Sequence, residues 1–207
     1  MKQKHMSEQE SLEVIQQMIY AAKIEQKDDG KGWIIWGWVI FFASVFSFIN
    51  LKTGWFEEFF FWNLFGIATI LLLFFKTIQS FYRKKAKVVR TYTSDLLSKL
   101  EPGFFISLAV IIVSMNTGGV HPTKGFALLL GLYGFWILIY GVVLNFKPSV
   151  IGAYVVFAFA LASLFVAQFE WTMLLHAVAV LCGYIIPGHL ANLEFNKLNQ
   201  EVNTQRV

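Results

Sequence analysis

The sequence predicts an all-α fold: a polytopic membrane helix bundle of six transmembrane helices, both termini in the cytoplasm, with an amphipathic helix ahead of the first span. Three observations carry this. Of 207 residues, 57% are hydrophobic and 14% charged, with a mean hydropathy of +0.58, against roughly 45–50% apolar and about 25% charged in ordinary soluble domains. The charged residues are segregated into 1–31, 76–101 and 194–206. Between those clusters lie nearly uncharged runs of about the length a bilayer demands, which excludes a soluble or disordered chain.

The first thirty residues read as the amphipathic helix. Ser7 and Glu10 have capping-box spacing, and Leu12, Ile15, Met18, Ile19 and Ala22 recur at intervals of three and four. Asp28, Asp29 and Gly30 supply the stop. Its polar face mixes acids and bases, where a lipid-seeking helix is mostly basic. Lying on the bilayer and docking to a cytoplasmic partner or a second copy of the chain are therefore both open. No apolar segment of the signal-peptide kind precedes residue 33, so the first span is expected to stay as an anchor and the mature protein to begin near Met1.

Six apolar runs follow, at about 33–50, 58–76, 102–118, 125–145, 148–168 and 171–191. The third is the weakest: it opens on Pro102 and Gly103 and fades after Met115 into Asn116, Thr117, Gly118 and Gly119, leaving a tilted or re-entrant segment open. Orientation follows from the basic residues, which are retained on the cytoplasmic side. Lys2, Lys4, Lys23, Lys27, Lys31, Lys76, Arg83, Lys84, Lys85, Lys87, Arg90, Lys99, Lys147, Lys197 and Arg206 fall on one side. Of the 17 Lys and Arg residues, this leaves only Lys52 and Lys124 for the other. The domain plan is thus a cytoplasmic helix and linker over 1–32, a membrane domain over 33–191 and a cytoplasmic tail over 192–207.

Aromatic residues agree with that placement. Trp33, Trp36 and Trp38 stand near the inner end of span one, and Trp55 and Trp171 near outer ends, where amphipathic rings prefer the interface. Trp62 and Trp136 lie deeper and are expected to pack between helices. Gly131, Gly134 and Ala160 are candidates for close helix approach, within one chain or between copies in a homo-oligomer. In the 76–101 connection, Ile78, Phe81, Tyr82, Val88, Val89, Tyr92, Leu96 and Leu100 form a helical stripe opposite Arg83, Lys84, Lys85, Lys87 and Arg90. That cluster is a candidate surface for anionic lipid headgroups or a protein partner, at about 1 kcal/mol per basic residue near the bilayer surface. It also serves as an orientation signal. The overall excess of base, +4 at neutral pH, is explained the same way, so direct nucleic-acid binding is not expected.

No catalytic, cofactor or metal motif is complete. The single cysteine, Cys182, rules out an intramolecular disulfide and any cysteine cluster. Span four has Gly131-Leu132-Tyr133-Gly134, with tyrosine where a rhomboid-type protease needs serine. Glu57-Glu58 is similar to the paired glutamates of prenyl-protein endopeptidases, but the arginine that should follow is missing, and His189 to Asn192 is one residue short. His176 and His189 are thirteen residues apart, near opposite faces of one helix, which argues against a shared zinc ion. No acid chain crosses the membrane.

His176 is the one clear ionisable residue inside a span, roughly 8 Å below the outer end at about 1.5 Å per residue. Asn63 lies at a matching depth, with Glu57 and Glu58 above it. Together these four are the candidate for an outward-facing polar pocket; the alternative is a single interhelical hydrogen bond from His176 with the glutamates solvated. At the inner end of span six, Pro187, Gly188 and His189 are the candidate hinge, since proline and glycine loosen a helix there.

Gly32-Trp33-Ile34-Ile35-Trp36-Gly37-Trp38, the preceding Met18-Ile19-Tyr20-Ala21-Ala22-Lys23, and the closing Ile186-Pro187-Gly188-His189 resemble an uncharacterised family of small six-span bacterial membrane proteins. The likeness covers nearly the whole chain. It implies the same six-span fold in a bacterial inner membrane, carries over no activity, and suggests an association with small winged-helix regulators. The expected function is non-enzymatic signalling or interaction with a cytoplasmic protein partner. The competing expectation is a small permease or channel using the outer polar pocket.

Overall fold

The computed structural model describes residues 29–82 and 92–205, together with Leu12. Among the described residues the chain is helical, without strands. The helices are α1 (Lys31–Thr53), α2 (Phe60–Tyr82), α3 (Tyr92–Asn116), α4 (Pro122–Val143) and α5 (Lys147–Leu164). A last rod joins α6 (Phe169–Val180), a π-helical turn (Leu181–Ile185) and α7 (Ile186–Gln205). Each expected apolar run falls on one of these helical stretches. Five stretches are long and apolar enough to cross a bilayer: Lys31–Thr53, Asp95–Asn116, Pro122–Val143, Lys147–Leu164 and Phe169–Glu201. The remaining expected span is represented by the shorter apolar stretch Phe60–Leu71 inside α2. This composition fits an integral membrane protein. The expected helix over residues 1–28 and the basic cluster Arg83, Lys84, Lys85, Lys87 and Arg90 lie outside the described residues.

Local chemistry sets the helix ends. Gly54 adopts φ 70° and donates its N–H to the Asn50 carbonyl at 2.7 Å, a left-handed stop that glycine takes without a Cβ penalty. His121 is extended, as a residue before proline must be, and Pro122 opens α4, where its missing N–H is not needed. Asn145, at φ 50°, turns α4 into α5, and the Phe146 N–H returns to the Gly141 carbonyl at 2.7 Å. A Cβ added at Gly141 would sit 2.9 Å from the Val150 backbone nitrogen, so this hairpin closes at backbone distance.

The third helix departs from expectation. It is one continuous helix that starts at Tyr92 and passes through Pro102, rather than a segment beginning at that proline. Pro102 removes one N–H and frees the carbonyl of Ser98. Ser98, Glu101, Pro102 and Gly103 are all exposed, so that carbonyl is not sealed inside protein.

The core lies between α4, α5 and α6, where Leu130, Ile137, Val156, Met173 and Val180 are buried almost completely. Helix α1 covers it. Within the apolar stretch of α3 no residue is buried, and Ile106, Val110 and Val113 face outward. In water such a surface would mark an interface; in a bilayer it faces acyl chains.

Contacts fix which helix ends lie together. Trp33 packs its ring on Tyr140 and Tyr184, at 4.5 and 4.9 Å between centroids, so Trp33 is a packing residue rather than a free interfacial anchor. Trp55 and Trp171 are exposed, in keeping with anchors, and Trp62 packs on Phe65 and Phe126 as expected. At the opposite end of α1, Lys52 pairs with Glu170 at 3.0 Å, while Lys124 Nζ donates to the Leu164 carbonyl. The start of α1 therefore shares one end of the bundle with the α4–α5 turn and α7. Its finish shares the other with the starts of α4 and α6.

Candidate functional site

Helix α1 is rich in aromatic residues, yet its buried face is polar. Ser44, Ser47 and Asn50 recur at intervals of three, which puts them on one side of a helix, and all are buried. That side meets α6 in antiparallel register. Ser44 Oγ lies 3.0 Å from His176 Nδ1, the Phe48 and Trp171 rings are 5.8 Å apart, and Lys52 meets Glu170. One turn from His176 along α6, Thr172 is also fully buried.

The hydrogen bonds fix the imidazole tautomer. Ser44 Oγ donates to the Ile40 carbonyl at 2.8 Å. A serine has one hydroxyl hydrogen, so toward His176 it accepts, and Nδ1 carries the proton. The other nitrogen, Nε2, then presents a bare lone pair. Trp62, Phe126 and Tyr133 pack around the ring at 5.3, 5.6 and 5.8 Å between centroids. None of these rings supplies a donor to Nε2, and the Trp62 indole N–H goes to Met173 Sδ at 3.1 Å.

Nε2 is not alone in this. Ser47 Oγ, Thr123 Oγ1, Thr172 Oγ1 and His176 Nε2 are buried polar atoms without a hydrogen-bonding partner among the described residues. An orphaned buried polar group costs about 1–3 kcal/mol, and native structures contain few. Four together in one part of one bundle mark the polar centre of this molecule. Thr123 belongs to the group because it lies one turn before Phe126, whose ring touches both His176 and Phe169.

Asn50 does a different task at the same end. Its Nδ2 donates to the carbonyls of Phe56 and Glu57 at 3.2 and 3.0 Å, and its Oδ1 accepts from the Phe56 N–H at 2.8 Å. The α1–α2 loop is thus tied down by one amide side chain. Lys52, beside Glu170, also sits 5.1 Å from the Trp171 ring centroid.

The four residues expected to form an outer pocket are not brought together. Glu57, Glu58 and Asn63 are exposed, while His176 is sealed inside. Asn63 follows Trp62 on α2, and it is Trp62 that faces the imidazole; a step of about 100° per residue turns Asn63 off that face. Ser44, Ser47, Thr172 and Thr123 were not legible as a group from sequence. A spacing of three among Ser44, Ser47 and Asn50 is the signal in the sequence that could have found part of it. Of the candidate hinge, Pro187 and Gly188 are buried and His189 is exposed. The irregular turn falls just before them, at Leu181–Ile185, where the Ile186 N–H reaches the Leu181 carbonyl five residues back.

The two glycine-bearing motifs at 30–38 and 186–189 meet. A Cβ at Gly37 would lie 2.8 Å from Ile185 Cγ1, and one at Gly188 would lie 3.1 Å from the Ile34 nitrogen. Asn192 Nδ2 donates to the Asp29 carbonyl at 2.7 Å. Among the described residues no three His, Cys, Asp or Glu side chains gather as they would around a metal ion. No family model, curated protein or solved structure matches this chain.

Proposed function

We propose that this is a non-enzymatic, multi-pass protein of the bacterial cytoplasmic membrane that acts in signalling or interaction, with its cytoplasmic end as the working surface. The observation that carries this reading is the bond from Asn192 to Asp29. It holds Asp29, the residue that follows the segment 1–28, against the polar helix α7, at the end of the bundle shared by the start of α1 and the α4–α5 turn. On α7, Leu193, beyond the last expected span, is 57% exposed on a polar stretch of helix. A cytoplasmic protein partner would bury it. Arg83, Lys84, Lys85, Lys87 and Arg90 would hold the anionic headgroups beside it.

The test is a photo-crosslinking amino acid at Leu193 in the full chain, in native membranes, alongside the same chain lacking residues 1–28. A discrete heteromeric adduct that the truncation abolishes is the expected result. Full retention of every adduct by the truncated chain would sink the interaction reading. A second reading, a small permease or channel, draws on the buried polar centre around His176. It requires solute flux in liposomes that survives the truncation.

A further inference from the structure

Hydroxyls on these helices, buried or exposed, commonly close onto their own helix. Ser44, Thr53, Thr69, Ser107 and Ser163 each donate to the carbonyl four residues earlier, at 2.8–3.0 Å. Ser47, Thr123 and Thr172 do not, although all three are buried at 2% exposure or less. Their hydroxyls come from three different helices, α1, α4 and α6. The helix register brings them to one level: Ser47 lies one turn beyond Ser44, Thr172 one turn before His176, and Thr123 one turn before Phe126, with the imidazole in contact with Ser44 and Phe126. Nε2 of His176 adds an acceptor without a donor.

We propose that these four residues line an internal hydration site. Water molecules would donate to His176 Nε2 and bridge the hydroxyls of Ser47, Thr123 and Thr172. The donor and acceptor inventory fits water, which both donates and accepts. Three hydroxyls each have a hydrogen to give and lone pairs to share, and Nε2 only accepts. A water inside a protein needs two to four polar partners, and this cluster holds enough for more than one. Among the described residues, those bonded to the imidazole or stacked on it, Ser44, Trp62, Phe126 and Tyr133, are uncharged. Thr123 and Thr172 stand in the first turns of α4 and α6, so the site lies toward the Lys52 end of the bundle. It holds whether or not the cytoplasmic surface binds a partner.

The full chain in lipid nanodiscs, with nitrogen-15 histidine, tests this by nuclear magnetic resonance. The chain has four histidines, and the His176→Gln variant identifies which signals belong to His176. The expected spectrum is a neutral ring protonated at Nδ1, with magnetisation transfer from water to its carbon-bound protons. Ser47→Ala combined with Thr172→Val should abolish the transfer while the Nδ1 proton stays bonded to Ser44. A wild-type ring with no transfer from water, or one whose Nε2 is coupled directly to a threonine or serine hydroxyl, would mean a dry network and overturn the proposal. The wild-type measurement decides the matter even where the double variant fails to fold.

Discussion

Asn50 organises a loop through one buried amide side chain. It sits at the last turn of an apolar span, where an amide unpaired with protein would be costly. Three bonds to the α1–α2 loop account for its burial. Asn50→Ala removes three bonds to that loop, at about 1 kcal/mol per bond, with the Glu57 carbonyl keeping the Phe60 N–H. We therefore predict a loss of about 2–3 kcal/mol, read as a lowered midpoint of thermal unfolding in detergent. Ser44→Ala tests the imidazole in the same assay. It removes the acceptor for the Nδ1 proton, and we predict a smaller loss of about 1 kcal/mol, the usual size of an interhelical hydrogen bond in membrane proteins. Wild-type stability in either variant would refute the corresponding assignment. His176 stood out in the sequence because ionisable residues are rare in spans. Ser44 did not, because serines are common there and its partner lies 132 positions away. A hydroxyl reveals its role only when helix pairing is known.

Helices show the same division between what is local and what is not. The extent of the apolar runs could be read directly, because the bilayer-length requirement acts on each segment alone. The continuity of α3 through Pro102 could not, since a proline near the water-exposed part of a helix costs less than one in its sealed interior. Glycines divide along the same line. Gly131 and Gly134 both invite a close-packing reading from sequence. Yet a Cβ at Gly131 meets nothing within 4 Å, while one at Gly134 would lie 3.1 Å from the Phe157 ring. Tight demands fall elsewhere too, among them at Gly37 against Ile185 and at Gly152, where a Cβ would meet the Cys182 carbonyl at 3.0 Å and Pro187 Cγ at 3.1 Å. Gly152 fits against the rod where the π-helical turn runs into Pro187, so the two irregularities are complementary. We predict that Gly37→Ala destabilises by about 1–3 kcal/mol through overpacking. Gly131→Ala should be neutral or stabilising by up to about 1 kcal/mol, because it removes a glycine from a helix interior at no steric cost. Unfolding midpoints of the two variants moving in the same direction would contradict this account.

Across the whole molecule, the distribution of lysine and arginine predicts an up-and-down threading without any contact being known. The structure adds how the sparse end tolerates its two cations. Lys52 is paired with Glu170 and lies against Trp171, and Lys124 is bonded to the free carbonyl end of α5. Both are held by protein, whereas Lys31, Lys147 and Lys197 lie toward the other end, at the start of α1, the start of α5 and on α7. Positive residues near span ends resist translocation, so the Lys52 end should face away from the cytoplasm. Substituted cysteines test this directly, after Cys182→Ser removes the single native thiol. Trp55→Cys, at an exposed position of the α1–α2 loop, should react with a membrane-impermeant maleimide in cells whose outer envelope has been opened. Asn196→Cys, exposed on α7, should react only once the cytoplasmic membrane is permeabilised. The reverse pattern would invert the orientation and move the proposed partner surface to the wrong compartment. Labelling of both positions in intact spheroplasts would mean that the chain crosses the bilayer an even number of times between them and the charge argument fails.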